Sequence, residues 1–178
     1  MSQVRPDTAK AVPDRTKAEM SVPAHVYPYR FGALGGAIGG LAMVVIALVY
    51  GLLSGRGLWL PVNLIGATLV RDLQSASLET LMQFNLAALI VGLSLHIALS
   101  AGLGFVFALL LPTMPGPPIV WSLTVGPLLW VLASLLTLPL LNPIMAQYVD
   151  VMSFFIAHMV YGLVLGWYVT RQSKVPAK

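Results

Sequence analysis

Two long stretches of this chain carry no charged residue. None lies between Arg30 and Arg56, and none lies between Glu79 and Asp150. A bilayer core about 30 Å thick needs roughly 20 apolar residues of helix to cross it, so both stretches are long enough to be immersed in lipid. Over the whole chain only 9% of the residues are charged, against about 25% in soluble domains. The sequence therefore predicts an integral membrane protein.

We expect an all-α fold with four transmembrane helices and one short interfacial or re-entrant helix. Pro127 should kink the third span, because proline has no amide proton and crowds the preceding turn. The interfacial helix is too short to cross the membrane, and Trp59 marks the membrane surface beside it. The predicted spans are about 31–53, 81–111, 119–141 and 151–170, and the interfacial helix is about 61–72.

The two ends of the chain are polar and rich in cations. Residues 1–30 form a proline-containing tail, and residues 172–178 form a short basic tail. Cation-rich segments stay on the cytoplasmic side, so we expect a multi-pass protein of a bacterial inner membrane with both termini in the cytoplasm. Topology accounts for these cations, and no nucleic-acid partner is expected. The cations at the ends are Arg5, Lys10, Arg15, Lys17, Arg30, Arg171, Lys174 and Lys178.

Small residues recur at four-residue spacing in three of the predicted spans. Such rows let two helix backbones approach closely, which matters because lipid gives no hydrophobic push between helices. Packing within the chain's own bundle and packing against another subunit are both open. The predicted packing residues are Gly32, Gly35, Gly36, Gly39, Gly40, Gly92, Ser100, Gly104, Gly162 and Gly166.

One histidine lies inside each of two predicted spans. His96 falls in the small-residue row of the second span, and His158 shares a face with Tyr161 and Gly162 in the fourth. Both spans run in the same direction, and at 1.5 Å per residue the two depths differ by only a few Å. Ionisable groups inside a membrane are rare and face the bundle interior. The two imidazoles are therefore expected to face inward, where they can meet.

Two cofactor roles fit such a pair. Neutral imidazoles from two helices can hold a b-type haem, with Arg56 or Arg71 near its propionates. The same pair can hydrogen-bond a quinone or relay protons. The structural alternative is that each histidine bonds Ser100, Tyr161 or a backbone carbonyl across a helix interface.

Other chemistries find little support. There is no cysteine, and no carboxylate lies inside a predicted span. Thiolate metal sites and carboxylate proton paths are therefore excluded, no metal site is indicated, and no catalytic residue stands out. These features favour a protein that is not an enzyme. A small oligomeric transporter or channel, with Asn63 as a lining group, remains an alternative.

Three segments carry a resemblance to a known group of proteins. They are the glycine-rich first span, the stretch LSGRGLWLPVNLIGATLV (residues 53–70) and the LLNP turn (residues 140–143) before a span with a histidine. Together they resemble small four-span bacterial inner-membrane proteins that accompany respiratory electron-transfer complexes. The resemblance covers about Phe31 to Arg171. It implies a non-catalytic accessory subunit of a respiratory or photosynthetic electron-transfer complex, with the bilayer and other membrane subunits as partners.

Overall fold

The computed structural model describes residues 23–177, which are mostly helical. Among the described residues, four helices are long and apolar enough to cross a membrane, which confirms the expected helical class and fits the four predicted spans. Most of the predicted amino-terminal tail, including Arg5, Lys10, Arg15 and Lys17, lies outside the described residues, as does Lys178. The first to fourth spans are Tyr29–Leu53, Leu86–Thr113, Pro118–Leu141 and Val151–Thr170.

The third span contains a π-helical turn. Its α-helix, α5 (Pro118–Leu132), continues through Pro127, and the departure from regular helix comes later, at Ala133–Thr137, before α6 (Leu138–Leu141). Pro139 explains this position, because in a regular helix its ring would clash with the carbonyl group four residues earlier. The wider turn relieves that clash. The π-helical turn is thus associated with Pro139, while Pro127 lies inside a continuous α-helix.

The second span begins later than predicted. A short helix, α3 (Leu78–Leu81), ends first, and the spanning helix α4 (Leu86–Leu110) begins after a break. The Asn85 side chain accepts a hydrogen bond of 2.9 Å from the Ala88 amide and so caps the new helix. Asn63 donates from Nδ2 to the carbonyl oxygens of Leu81 and Gln83, at 2.8 and 2.7 Å, which satisfies groups that a continuous helix would pair internally.

Four short elements form a cap over one end of the spans. The interfacial helix, α2 (Trp59–Gly66), is shorter than expected and is followed by a 3₁₀ turn at Arg71–Ser75. With α3 and α7 (Pro143–Tyr148) these elements enclose a small apolar core. We call the four elements the cap. Its buried residues include Leu60, Leu64, Leu73, Leu81 and Ile144.

Buried amides and two arginines hold the cap together. Asn142 donates to the carbonyl oxygen of Leu64 at 2.7 Å and accepts from Gln74 Nε2 at 2.8 Å. Arg56 donates to the Tyr148 carbonyl oxygen and Arg71 to the Leu141 carbonyl oxygen, each at 3.1 Å. Both carbonyl groups lie at the carboxyl ends of short helices, where a cation is electrostatically favoured. Each arginine is thus tied to the backbone of the cap through one nitrogen of its guanidinium group.

The four spans form an open arc. The first span packs extensively on the second and the fourth, and the fourth packs on the third. Among the described residues, the second and third spans share no extensive contact, although they follow one another in the chain. The spatial order is therefore second, first, fourth, third, and the arc is open on one side.

A short antiparallel pair joins the two ends of the described chain. β1 (His25–Val26) pairs with β2 (Val175–Pro176), and His25 lies opposite Pro176. The Ala177 amide also donates to the Ala24 carbonyl oxygen at 3.0 Å. The sequence analysis did not predict these strands. They place both ends on the same face, opposite the cap, as an even number of spans requires.

Candidate functional site

The two glycine rows of the first span contact two different helices. Gly36 faces the second span, where an added Cβ would lie 3.0 Å from the Gly104 Cα and would also meet the Ser100 carbonyl group. Gly39 faces the fourth span, where an added Cβ would lie 3.0 Å from the ring of Tyr161. Gly32 and Gly40 follow the first pattern and Gly35 follows the second. The first span is thus the central helix, because glycine rows on two of its faces let the second and fourth spans pack closely against it.

The remaining predicted packing residues also contact parts of the same chain. Gly92 lies against Gly66 of α2, and both Gly162 and Gly166 lie against Ser122 of the third span. Gly126, which the sequence analysis did not single out, faces the backbone of His158. These small residues therefore pack against other helices of the same chain, and they do not form a free surface for a second subunit.

A central groove of about 610 Å³ lies inside the open arc. Most of its wall is apolar, and it extends from the middle of the spans toward the cap. Both spanning histidines line it, so the fold brings His96 and His158 to one site. A volume of this size and an apolar wall with few polar groups are typical of small-molecule sites. Its apolar lining includes Met43, Ala47, Leu64, Leu99, Leu132 and Ala157.

His158 is held by its own helix. Its Nδ1 donates a hydrogen bond of 2.8 Å to the Phe154 carbonyl oxygen, and its ring meets the Phe154 ring edge-on at 4.4 Å. Only 7% of the residue is exposed. Because a carbonyl oxygen can only accept, Nδ1 carries the proton, and Nε2 of the neutral imidazole keeps a lone pair.

His96 is held by the neighbouring helix. Its Nε2 donates to the Gly40 carbonyl oxygen at 3.0 Å, across the contact between the first and second spans. The same argument leaves Nδ1 as the nitrogen with a lone pair. Gly40 permits this bond because it brings the first-span backbone close to the second. His96 also borders a side pocket of about 280 Å³ between the first span, α2 and the second span.

Tyr161 forms the floor of the groove. Its hydroxyl group donates to the Ser100 carbonyl oxygen at 2.7 Å, and the residue is only 1% exposed. Beyond it, a cluster of apolar side chains fills the bundle toward the chain ends. The cluster consists of Phe107, Leu111, Tyr161, Leu165 and Val169. The groove therefore ends at Tyr161.

The end of the groove that lies at the cap is polar. Asp150 caps the fourth span by accepting a hydrogen bond of 2.7 Å from the Ser153 amide. This bond holds the pKa of the Asp150 carboxyl below its ordinary value, and the hydroxyl of Tyr50 and the charge of Arg56 act in the same direction. An ionised carboxylate thus stands where the groove reaches the cap.

The described residues contain no group of three or more metal-ligating side chains. A haem held by both histidines would need a free nitrogen from each on one iron, and His96 presents only Nδ1 while it bonds Gly40. Asn63 is fully buried in the cap and does not line the groove, so the structure gives it a packing role in place of the expected channel-lining role. A comparison with protein-family models, curated proteins and solved structures finds no match for this chain.

Proposed function

We propose that the protein binds a lipid-soluble molecule of the quinone type in the central groove, with His158 and His96 at its ring. One observation carries the proposal: two histidines far apart in sequence line a single apolar groove, and each retains an uncommitted nitrogen. A quinone is a flat apolar ring with two polar oxygens and an apolar tail. That pattern matches a mostly apolar wall that carries two histidines and a small number of other polar side chains.

Binding of a short-tailed quinone tests the proposal. The protein in lipid nanodiscs is titrated with a decyl-substituted benzoquinone, and bound ligand is measured by equilibrium dialysis. We expect saturable binding near one ligand per chain, and at least a tenfold loss of affinity for His158→Phe combined with His96→Phe. His25→Ala is the matched control, because His25 lies in the terminal strand and should leave affinity unchanged. An affinity for the quinone that is unchanged in the double variant would overturn the proposal.

The accessory-subunit function stays a second candidate. The observation that favours it is the open arc, because the third span is held on one side only and leaves room for a partner helix beside the groove. Purification from membranes in mild detergent tests this function. A reproducible stoichiometric complex with redox-active membrane subunits would support it, and a chain that purifies only with itself would oppose it. A Soret band in the same preparation would instead favour the haem alternative.

We also propose a bacterial inner membrane as the location, with both termini cytoplasmic and the cap outside. The paired ends and the cations around them support this orientation. The chain has no native cysteine, so single cysteines at Ser2 and at Glu79 can be labelled in intact cells with an impermeant maleimide. Labelling at residue 79 alone is expected. Labelling at residue 2 without prior lysis would reverse the orientation.

A further inference from the structure

The two ends of the bundle carry different charges. We use the name terminal face for β1, β2, the start of the first span and the end of the fourth span. Among residues 23–177 this face carries three cations and no carboxylate, while the cap end carries two cations and three carboxylates. The cations of the terminal face are Arg30, Arg171 and Lys174, and the carboxylates of the cap end belong to Asp72, Glu79 and Asp150.

The cations of the two ends also differ in their partners. Both arginines of the cap end donate hydrogen bonds to backbone carbonyl oxygens at the ends of short helices. On the terminal face, Arg30, Arg171 and Lys174 are exposed, and within the described part of the chain no hydrogen bond or ion pair reaches their side chains. Their N–H groups are therefore available to an acceptor outside residues 23–177.

Both arginines of the terminal face lie over aromatic rings of their own helices. The guanidinium carbon of Arg30 lies 4.8 Å from the centre of the Phe31 ring, and that of Arg171 lies 4.7 Å from the centre of the Trp167 ring. Aromatic rings at the ends of spans lie in the headgroup layer of a bilayer. A guanidinium group that contacts a ring with its face keeps the N–H donors on its edge free to bind oxygen atoms.

Helix packing and strand pairing bring the three cations to the same place. The first and fourth spans pack on each other, and near the terminal face an added Cβ at Gly35 would lie 3.1 Å from the Tyr168 ring. The start of one span therefore lies beside the end of the other. Because β1 pairs with β2, Lys174 Nζ lies 5.1 Å from the centre of the Tyr27 ring, just before the first span.

From this arrangement we propose that the terminal face binds the phosphate group of an anionic phospholipid, with Arg30, Arg171 and Lys174 as donors. Basic side chains at a membrane surface attract anionic lipids, and arginine forms paired hydrogen bonds with phosphate oxygens. A soluble acidic partner fits less well, because the rings place the cations in the layer where lipid phosphates are concentrated. This surface is separate from the central groove, so its test does not depend on the ligand of the groove.

Quenching of tryptophan fluorescence by brominated lipids tests the proposal. Trp167 lies under Arg171 and is 48% exposed, whereas Trp59 begins α2 at the cap end. Two chains, each with one of these tryptophans and phenylalanine at the other tryptophan positions, are placed in phosphatidylcholine vesicles that contain brominated phosphatidylglycerol or brominated phosphatidylcholine. At Trp167 we expect phosphatidylglycerol to bind about fivefold more tightly or better. At Trp59 we expect no preference, because carboxylates lie at that end.

Charge variants show whether the preference depends on the three cations. Arg30→Gln, Arg171→Gln and Lys174→Gln together should abolish the preference at Trp167. Arg30→Lys with Arg171→Lys keeps the charge and should retain most of the preference, which a loss of packing alone would not explain. All three side chains are exposed, so every variant should melt at the wild-type temperature in pure phosphatidylcholine.

Several results would overturn the proposal. A preference at Trp167 that survives the triple Gln variant would show that these cations do not bind the lipid. The same preference at Trp59 would show only the general attraction of the vesicle surface. Competition by inorganic phosphate, at an ionic strength matched with sodium chloride, would identify a site for free phosphate in place of a lipid. No preference at either tryptophan would leave the cations to an acidic partner of another class.

Discussion

The hydroxyl group of Tyr161 donates a 2.7 Å hydrogen bond to the backbone carbonyl oxygen of Ser100. This bond joins the fourth span to the second. It lies beside the first span, where the Tyr161 ring packs against Gly39. Ser100 in turn contacts Gly40, one turn along the helix from Gly36. Three spans thus meet at one buried polar contact, which also closes the floor of the groove.

Removing that hydroxyl should weaken the bundle. Tyr161→Phe leaves the Ser100 carbonyl oxygen without its side-chain donor at a site from which water is excluded, which costs about 1–3 kcal/mol of unfolding free energy. Unfolding in mixed micelles with increasing SDS measures the change. Tyr29→Phe is the control, because Tyr29 is 42% exposed at the start of the first span. Equal stability of the two variants would contradict a structural role for this bond.

Adding one methyl group to the first span should separate two helices. In Gly36→Ala the new Cβ meets backbone atoms of Ser100 and Gly104, which cannot move aside as a flexible side chain would. We expect a loss of about 1–3 kcal/mol, typical of overpacking. Gly102→Ala is the matched control, since an added Cβ there has no neighbour within 4 Å and alanine favours helix. A greater loss for Gly102→Ala would contradict the packing described here.

Asp150 should make stability depend on pH in the acid range. Its folded pKa lies below the ordinary value of 3.8, so its contribution is complete above that pH and is lost as pH falls through the folded pKa. Asp150→Asn keeps a capping side chain but does not titrate. The melting temperature of the wild type should exceed that of the variant at pH 6, and the gap should close below pH 3.8. A constant gap down to strong acid would rule out this linkage.

The terminal strands predict a specific disulfide. Val26 and Val175 are direct partners in the antiparallel pair, and the chain has no other cysteine to interfere. Cysteines at both positions should cross-link under mild oxidation, visible as a reducible mobility shift in gels. A pairing of Val26→Cys with Leu141→Cys should not cross-link, because Leu141 lies at the opposite end of the third span. Cross-linking of that second pair would contradict the topology.

Much of the fold could be predicted from the sequence, because membrane thickness and hydropathy act locally. The fourth span agrees with the predicted bounds, 151–170, and the cap of Asp150 is a local signal. The break before Leu86 was missed, because it depends on Asn63, whose amide satisfies carbonyl groups far along the chain. Periodicity does not report such long-range partners.

The candidate site was predictable only in part. The positions of His96 and His158 in their helices place both at similar depth, but which nitrogen stays unbonded depends on Gly40 and Phe154. The doubled glycine row indicated two packing faces without telling which helix covers each. The open side of the arc depends on contacts that the second and third spans do not make, and no local pattern encodes those.

The position of the third span has a consequence for how the polypeptide is made. It packs chiefly on the fourth span, which follows it in the chain and is therefore synthesised after it. Until then Gly126 has no backbone to meet, and Gly35 and Gly39 remain uncovered on the first span. A nascent chain stopped before Val151 would hold three inserted helices, two of them joined and one unattached. Synthesis of the fourth span is therefore the event that joins the third span to the first two.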